Sequence, residues 1–214
     1  MIEDVFVVKP SRRESAEARR QAILDEACDL FFTRGYDPVS IAEIGAAAGI
    51  SGPAIYRHFA SKAELLECLC EQTIDRLIEF VGPRRDDPLA ELTALVKGQV
   101  ALVVHFPTRV RVFEEEERSL PPEVRRKVRR RERDHARRWV AALTALTPGM
   151  PEFALETLAF ATVGMILSAP RWPRQLRADP TLARSLEQAA WRLLGPALDG
   201  IGISLINSVD DTND

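Results

Sequence analysis

Apolar residues recur at spacings of three and four along the whole chain and nowhere alternate strictly, so the pattern predicts helices and no strands. Ile23, Ala27, Leu30 and Phe31 share one face of a first helix over about residues 14–34, which Gly35 stops. After the turn "GYDPV", Ser40 and Glu43 form a capping box for a second helix that ends at Gly49. A third helix opens at Ser51, carries Pro53 in its first turn, where a missing N–H costs nothing, and ends near His58. Ser61 and Glu64 make a second capping box, and the fourth helix runs to about Val81. Beyond "GPRRDDP" the periodicity predicts helices at about 88–106, 108–117, 121–146, 151–168 and 180–198, the last capped by Asp179-Pro180. The expected fold is all-α: an N-terminal three-helix helix-turn-helix domain followed by a C-terminal helical body. The expected segments are a flexible basic arm over 1–13, the helix-turn-helix domain over 14–62, the body over 63–200, and an acidic, disordered tail over 201–214.

The stretch "GISGPAIYRHFASKAELL" places two glycines and a proline where helix interiors disfavour them, by about 1 kcal/mol for Gly and about 3 for Pro. A break between two short helices removes the conflict, and two helices joined by a short Gly-containing turn are the helix-turn-helix unit. Gly45 is small where the helices would cross, Gly49 suits a left-handed turn, and Ile44, Ile50 and Ile55 would form the shared wedge. The third helix then turns its first residues outward: Ser51, Gly52, Pro53, Ala54, Tyr56 and Arg57. Such a helix end suits the major groove of DNA.

Composition leaves this reading open and closes others. Hydrophobic residues make up 46% and charged residues 29%, which is globular and not disordered. The net charge of −3 excludes a chain that coats nucleic acid indiscriminately, but it permits one small reading surface. The apolar stretches near 100–106 and 158–169 read as too short and too interrupted to span a bilayer, and acids stand where a signal peptide needs bases. No membrane association and a cytoplasmic location are therefore expected. The three cysteines read as core or boundary thiols. The three histidines fall on different helices, and no Gly-rich phosphate loop, metal-ligand spacing or nucleophile elbow occurs, so no catalytic residue, metal or cofactor is expected and the chain reads as no enzyme.

The run "ARRQAILDEACDLFFTRGYDPVSIAEIGAAAGISGPAIYRHFASKAELL" resembles the DNA-binding domain of the TetR/AcrR family of transcriptional regulators. The resemblance covers about residues 17–77 and rests on Ala27, Leu30, Phe31 and Gly35, on "SIAEIGAAAGIS", and on "IYRHF" with "SKAELL". It implies a dimeric regulator, a repressor on the commoner pattern, that binds a palindromic double-stranded operator and is released by a small molecule. Residue by residue it implies phosphate contacts from Ser40, Tyr56 and Lys62, and base readout by Gly52, Pro53, Ala54 and Arg57 beside Ser51. Pro53 and Ala54 offer only apolar contact, while Arg57 can pair with guanine or grip phosphate. Tyr56 is either such a contact or core, Phe59 is core, and His58 caps the helix end or touches phosphate.

The body diverges within that family, so its ligand has to be read from this chain. Helix 121–146 carries an apolar stripe of Val124, Val128, Trp139, Leu143 and Leu146, and stepping from Val128 to Trp139 lands on Arg131 and His135. Either Arg131 reaches outward and His135 is a satisfied core histidine, or both stand at the mouth of an apolar cavity and meet an anionic group. Val100, Val104, Phe106, Phe113, Trp139, Phe160, Val163, Leu167 and Trp172 are the apolar candidates for that cavity. A small hydrophobic ligand follows, a fatty acyl-CoA or a lipophilic drug of the kind met by efflux regulators. Glu114 to Glu117 are expected to pair with the basic run "EVRRKVRRRERDHARR". Helix 151–168 is apolar nearly all round, and Leu182, Leu186, Ala189, Leu193 and Ala197 form a stripe on 180–198. Together they read as half of a four-helix bundle completed by a second copy. A DNA-binding architectural protein without a ligand is the competing class.

Overall fold

The computed structural model describes residues 12–198, with side chains placed from residue 16 onward. The expected N-terminal arm before Arg12 and the tail over 201–214 lie outside the described residues. All regular structure among the described residues is helical. The elements are α1 (Arg12–Arg34), α2 (Ile41–Ala47), α3 (Gly52–Ile55), α4 (Lys62–Val81), α5 (Pro88–His105), α6 (Pro107–Glu116), α7 (Pro122–Leu146), α8 (Glu152–Ser168), α9 (Arg174–Arg177) and α10 (Leu182–Leu198). Short 3-10 turns follow α6 and α8. The chain divides into two units between Leu69 and Cys70, inside α4 and not at its start as the pattern suggested.

In the first unit α1 packs on α2 and α2 on α3. Its core is Ile23, Leu24, Ala27, Phe31, Val39, Ile44, Ile55, Phe59, Leu65 and Leu66. Ile50, expected in the central wedge, is only half buried. Both glycine arguments hold: Gly49 has φ +68°, and a Cβ on Gly45 would lie 3.0 Å from the backbone of both Gly52 and Ile50. The capping box forms as expected. Ser40 N donates to Glu43 Oε2 at 2.8 Å, and Glu43 N donates to Ser40 Oγ at 3.3 Å. At α4, Ser61 Oγ accepts from Glu64 N, while the Glu64 carboxylate reaches back past Ser61 to Ala60 N. The third helix is shorter than expected, ending at Ile55 because the next amides tighten onto Ala54 and Ile55.

In the second unit α5 is the central element, packed against α7, α8 and α10. It opens on Asp87, whose carboxylate accepts from Leu89 N and Ala90 N, with Pro88 at the first position. Leu92, Leu95, Val96, Val100, Trp139, Leu143, Ile166, Leu186, Ala190 and Leu194 make its core. Within it the buried Glu91 accepts from Arg138 Nε at 2.7 Å and from Arg85 N at 3.0 Å. Burial pushes this carboxyl up, but the Arg138 and Arg85 bonds outweigh it and hold it below the usual carboxylate range. Asp179 does not open the last helix; it takes Thr181 N and Thr181 Oγ in a tight turn, and α10 starts at Leu182.

Two expectations about the apolar helices need correction. Glu152–Arg171 is long and apolar enough to cross a membrane by length and composition, contrary to the reading of 158–169 as too short. Its buried residues, among them Leu155, Ala159 and Ile166, nevertheless pack within the second unit. Leu186 is 1% exposed and belongs to this core, so it cannot be an outward dimer contact. The outward apolar residues of α8 and α10 are Phe153, Phe160 and Leu193.

Candidate reading surface and ligand cavity

The first unit presents the residues expected to meet DNA, but unequally. Ser51, Pro53, Tyr56 and Arg57 are exposed, and Gly52, Ala54 and His58 are half buried. Tyr56 is 58% exposed, which removes it from the core, whereas Phe59 is buried beneath it. The side chains of Tyr56 and Arg57 have no hydrogen-bond or ion-pair partner among the described residues. The Ser51 side chain makes no cap bond.

Lys62 and Ser40 are placed otherwise than expected. Lys62 Nζ donates to the carbonyls of Tyr36, Asp37 and Val39 at 2.9, 3.0 and 2.9 Å, and lies 4.3 Å from the centre of the Tyr36 ring. An ammonium has three donors, and all are engaged, so Lys62 closes the turn between α1 and α2 and has none left for phosphate. Ser40 Oγ donates to Glu43 Oε2 at 2.7 Å. The Ser40 bonds, with Arg34 Nη1 2.7 Å away, hold the Glu43 carboxyl down at about 2, so an anion stands beside Ser40 where phosphate was expected. Sequence reading missed Arg20. It donates to the carbonyl of His58, to Glu64 and to Cys68 Sγ, and stacks 3.9 Å over the Phe59 ring, fastening α1 to the end of the reading segment.

The second unit holds a partly open cavity of about 430 Å³. Phe113, His135, Trp139, Phe160, Val163 and Leu167 line it, as expected. Val100, Val104, Phe106 and Trp172 do not; Val100 is part of the core and the other three are half buried against it. Nor does Arg131, whose Nη2 donates to Asp75 Oδ1 on α4 at 2.5 Å. The long guanidinium stem carries the charge off the apolar stripe to the nearest acid. From α4 come Thr73, Ile74 and Leu77, and from α5 Gln99 and Leu102.

His135 is not poised to hold an anion. Trp139 Nε1 lies 3.1 Å from His135 Nε2, and an indole N–H can only donate, so Nε2 is the acceptor and the ring is neutral. Gln99 Oε1 as placed is 3.3 Å from the same nitrogen, and the amide must present its NH2 there instead. Burial, reinforced by the nearby Arg138 charge, pushes this imidazole down to about 4.

The charged residues that do line the cavity are acids: Glu114, Glu117 and Glu132. The expected pairing of the acid run with the basic helix is partial. Arg129 Nε meets Glu117 Oε1 at 2.8 Å, but Glu115 pairs with Arg111 on its own helix, and Glu114 pairs with Arg171. Arg171 approaches Glu114 Oε2 at 2.9 Å without hydrogen-bond geometry, leaving that buried oxygen with no hydrogen-bond partner among the described residues. Glu132 has neither an ion pair nor a hydrogen bond there. Burial and the neighbouring Glu117 raise its carboxyl to about 7, and burial raises that of Glu114. Among the described residues no group of His, Cys, Asp and Glu is arranged to hold a metal ion.

A helix-turn-helix with an exposed reading edge and a helical body holding a ligand-sized cavity define a DNA-binding regulator of the one-component type. Residues 23–69 match the family model described as bacterial regulatory proteins, tetR family, and residues 85–175 match that of the tetracyclin repressor-like C-terminal domain. The chain belongs to the TetR family of transcriptional regulators. It is 29% identical over 116 residues to the transcriptional activator FasR of Mycolicibacterium smegmatis, covering 53% of each chain. It is 25% identical over 114 residues to the transcriptional repressor KstR2 of the same organism, covering 52% of this chain and 56% of that one. The chain thus spans about half the length of these curated relatives. The fold matches that of AibR, solved in complex with isovaleryl coenzyme A and operator DNA, with a TM-score of 0.70 at 21% identity over 84% of this chain and 98% of that one.

Proposed function

We propose that this chain is a cytoplasmic, homodimeric repressor that binds a palindromic operator through Ser51, Gly52, Pro53, Ala54, Tyr56, Arg57 and His58, and that a small hydrophobic ligand in the cavity releases it. The observation that carries this reading is α4. Its first turns, with Leu65 and Leu66, belong to the core of the reading unit, and its later residues Thr73, Ile74 and Leu77 form a wall of the cavity. One helix of 20 residues, about 30 Å long, therefore carries any displacement at the cavity into the reading unit. A ligand that prefers one setting of that helix changes operator affinity by its differential affinity for the two settings, and by no more.

Dimerisation is supported by the outward face of α8 and α10. Phe153 and Phe160 are 79% and 63% exposed, and Leu193 is 42% exposed. Large aromatic residues at such exposure mark a surface made for a partner, and a second copy completes the four-helix bundle that the two helices begin. Selection of a bound site from randomised duplex DNA, followed by fluorescence anisotropy on the selected sequence, tests the reading. A palindromic consensus, lost on Arg57→Ala, is expected; recovery of no preferred sequence would sink the proposal. The double variant Phe153→Asp, Leu193→Asp should be a monomer by light scattering and should bind the full operator weakly.

A further inference from the structure

We propose that the cavity of the second unit selects a lipophilic cation, an amine or a delocalised organic cation, and rejects anionic ligands such as acyl-CoA. This rests on reading that cavity as the ligand site of a regulator, and it specifies the chemistry of the ligand.

The cavity itself makes the site, and its lining sets the sign. About 430 Å³ suits a compact drug-sized molecule. Ile74, Leu77, Leu102, Val110 and Phe113 give it apolar walls, and no lysine or arginine lines it. Three carboxylates do, and guanidiniums outside the cavity offset them in part: Arg171 and Arg111 beside Glu114, Arg129 on Glu117, and Arg129 and Arg133 near Glu132. Among the described residues Glu132 makes no ion pair or hydrogen bond, and Arg129 and Arg133 reach it only through their longer-range charge. The two groups that would have welcomed an anion are withdrawn: Arg131 is held by Asp75, and the neutral ring of His135 accepts from Trp139. An anionic head placed here would meet three carboxylates and, among the described residues, no lining lysine or arginine, whereas a cation would be drawn to Glu132 and face the Trp139 and Phe113 rings. Burial is the main cause that raises the Glu132 and Glu114 carboxyls, and the neighbouring carboxylates Glu117 and Glu115 add to it.

Titration calorimetry of the full chain with tetraphenylphosphonium and with tetraphenylborate separates charge from shape, because the two ions are nearly the same size and opposite in sign. The cation is expected to bind at least about tenfold more tightly than the anion. Glu132→Gln should weaken the cation by about three- to tenfold and narrow the gap between the two ions. Glu123→Gln, which makes the same change in net charge on an exposed residue outside the cavity, should leave both affinities as they were. Equal or tighter binding of the borate, no binding of the phosphonium, or an equal loss in Glu123→Gln and Glu132→Gln would each overturn the proposal. The operator assay keeps the two claims apart. If acyl-CoA releases the operator while phosphonium does not bind, the regulator reading stands and the cation claim falls. If phosphonium binds as expected and the operator complex survives saturation, the cation claim stands and ligand-controlled release falls.

Discussion

In the first unit nearly every charged side chain at the reading end is engaged in holding the fold, whereas in the second unit a ligand-sized space is bordered by charges that the fold does not satisfy. Arg20, Arg34, Glu43, Lys62 and Glu64 all close local hydrogen bonds. Tyr56 and Arg57 are left outward. In the second unit Glu91 is as well satisfied as any of these, yet Glu132 on α7, the helix that carries Arg138, has no hydrogen bond or ion pair among the described residues. Satisfied polar groups report structure; the unsatisfied ones report what the molecule is built to meet.

The largest test of that contrast is to break the satisfied pair. Glu91→Gln leaves the half-buried Arg138, whose Nη2 already has no hydrogen-bond partner among the described residues, beside a neutral amide, and breaking a buried ion pair from one side costs about 3–5 kcal/mol. A urea transition displaced to lower concentration by that amount is expected; a loss below about 1 kcal/mol would mean the pair is only ornamental to the fold. Acid should reach the same network in two stages. His135 has a folded pKa of about 4, below its ordinary 6.5, so the unfolded chain binds the extra proton and stability falls as pH drops from about 6.5 towards 4. Glu91, held below the usual carboxylate range, contributes stability above that range and loses it only on further acidification. Stability in His135→Gln should be flat through the upper stage and should keep the lower one.

Gly98→Ala comes next. Alanine normally favours a helix interior by about 1 kcal/mol over glycine. Here its Cβ would lie 2.4 Å from Val81 Cγ2 and 2.8 Å from Val81 N, and backbone cannot yield as a flexible side chain does. A net loss of about 1–3 kcal/mol is expected, the usual cost of overpacking. A stabilised variant would show that α4 and α5 have room to separate.

What was legible in the sequence follows the same division. Helix boundaries came through caps and breakers, because Ser40, Ser61 and Gly49 act within a few residues of themselves. The exposure of Ser51, Pro53, Tyr56 and Arg57 was legible for the same reason. The cavity's apolar wall was legible from helical spacing, but its charge was not. From Val128 to His135 the stripe can step by three then four, through Arg131, or by four then three, through Glu132. Spacing cannot choose between them, and the structure takes Glu132. The acids of α6 were hidden as well, since which of four consecutive glutamates turns inward depends on Arg171, far along the chain.

In the first unit, Lys62→Met and Tyr56→Phe should separate structure from recognition. Lys62→Met removes three hydrogen bonds to turn carbonyls, two of them part-buried, at a cost of at least about 1 kcal/mol in stability. Tyr56→Phe should leave the melting temperature unchanged and weaken operator binding severalfold, about 1 kcal/mol, by removing a hydroxyl that has no partner among the described residues. The reverse pattern, with Lys62→Met folding normally but failing on DNA of every sequence, would restore Lys62 as a phosphate contact.

The smallest expected effect has the most informative sign. Glu132→Gln removes a carboxylate whose folded pKa, about 7, lies above its ordinary 4.5, so at neutral pH the charged form is disfavoured by folding. Its removal should raise the melting temperature slightly at pH 8, where the side chain is ionised, and change nothing at pH 4, where it is protonated in both states. Because Glu132 is largely exposed, the gain should be no more than about 0.5 kcal/mol. A residue that weakens the apo protein and strengthens its hold on a cation behaves as a binding group. A loss of stability at pH 8 would instead place Glu132 with Glu91, as part of the scaffold, and would close the contrast between the two.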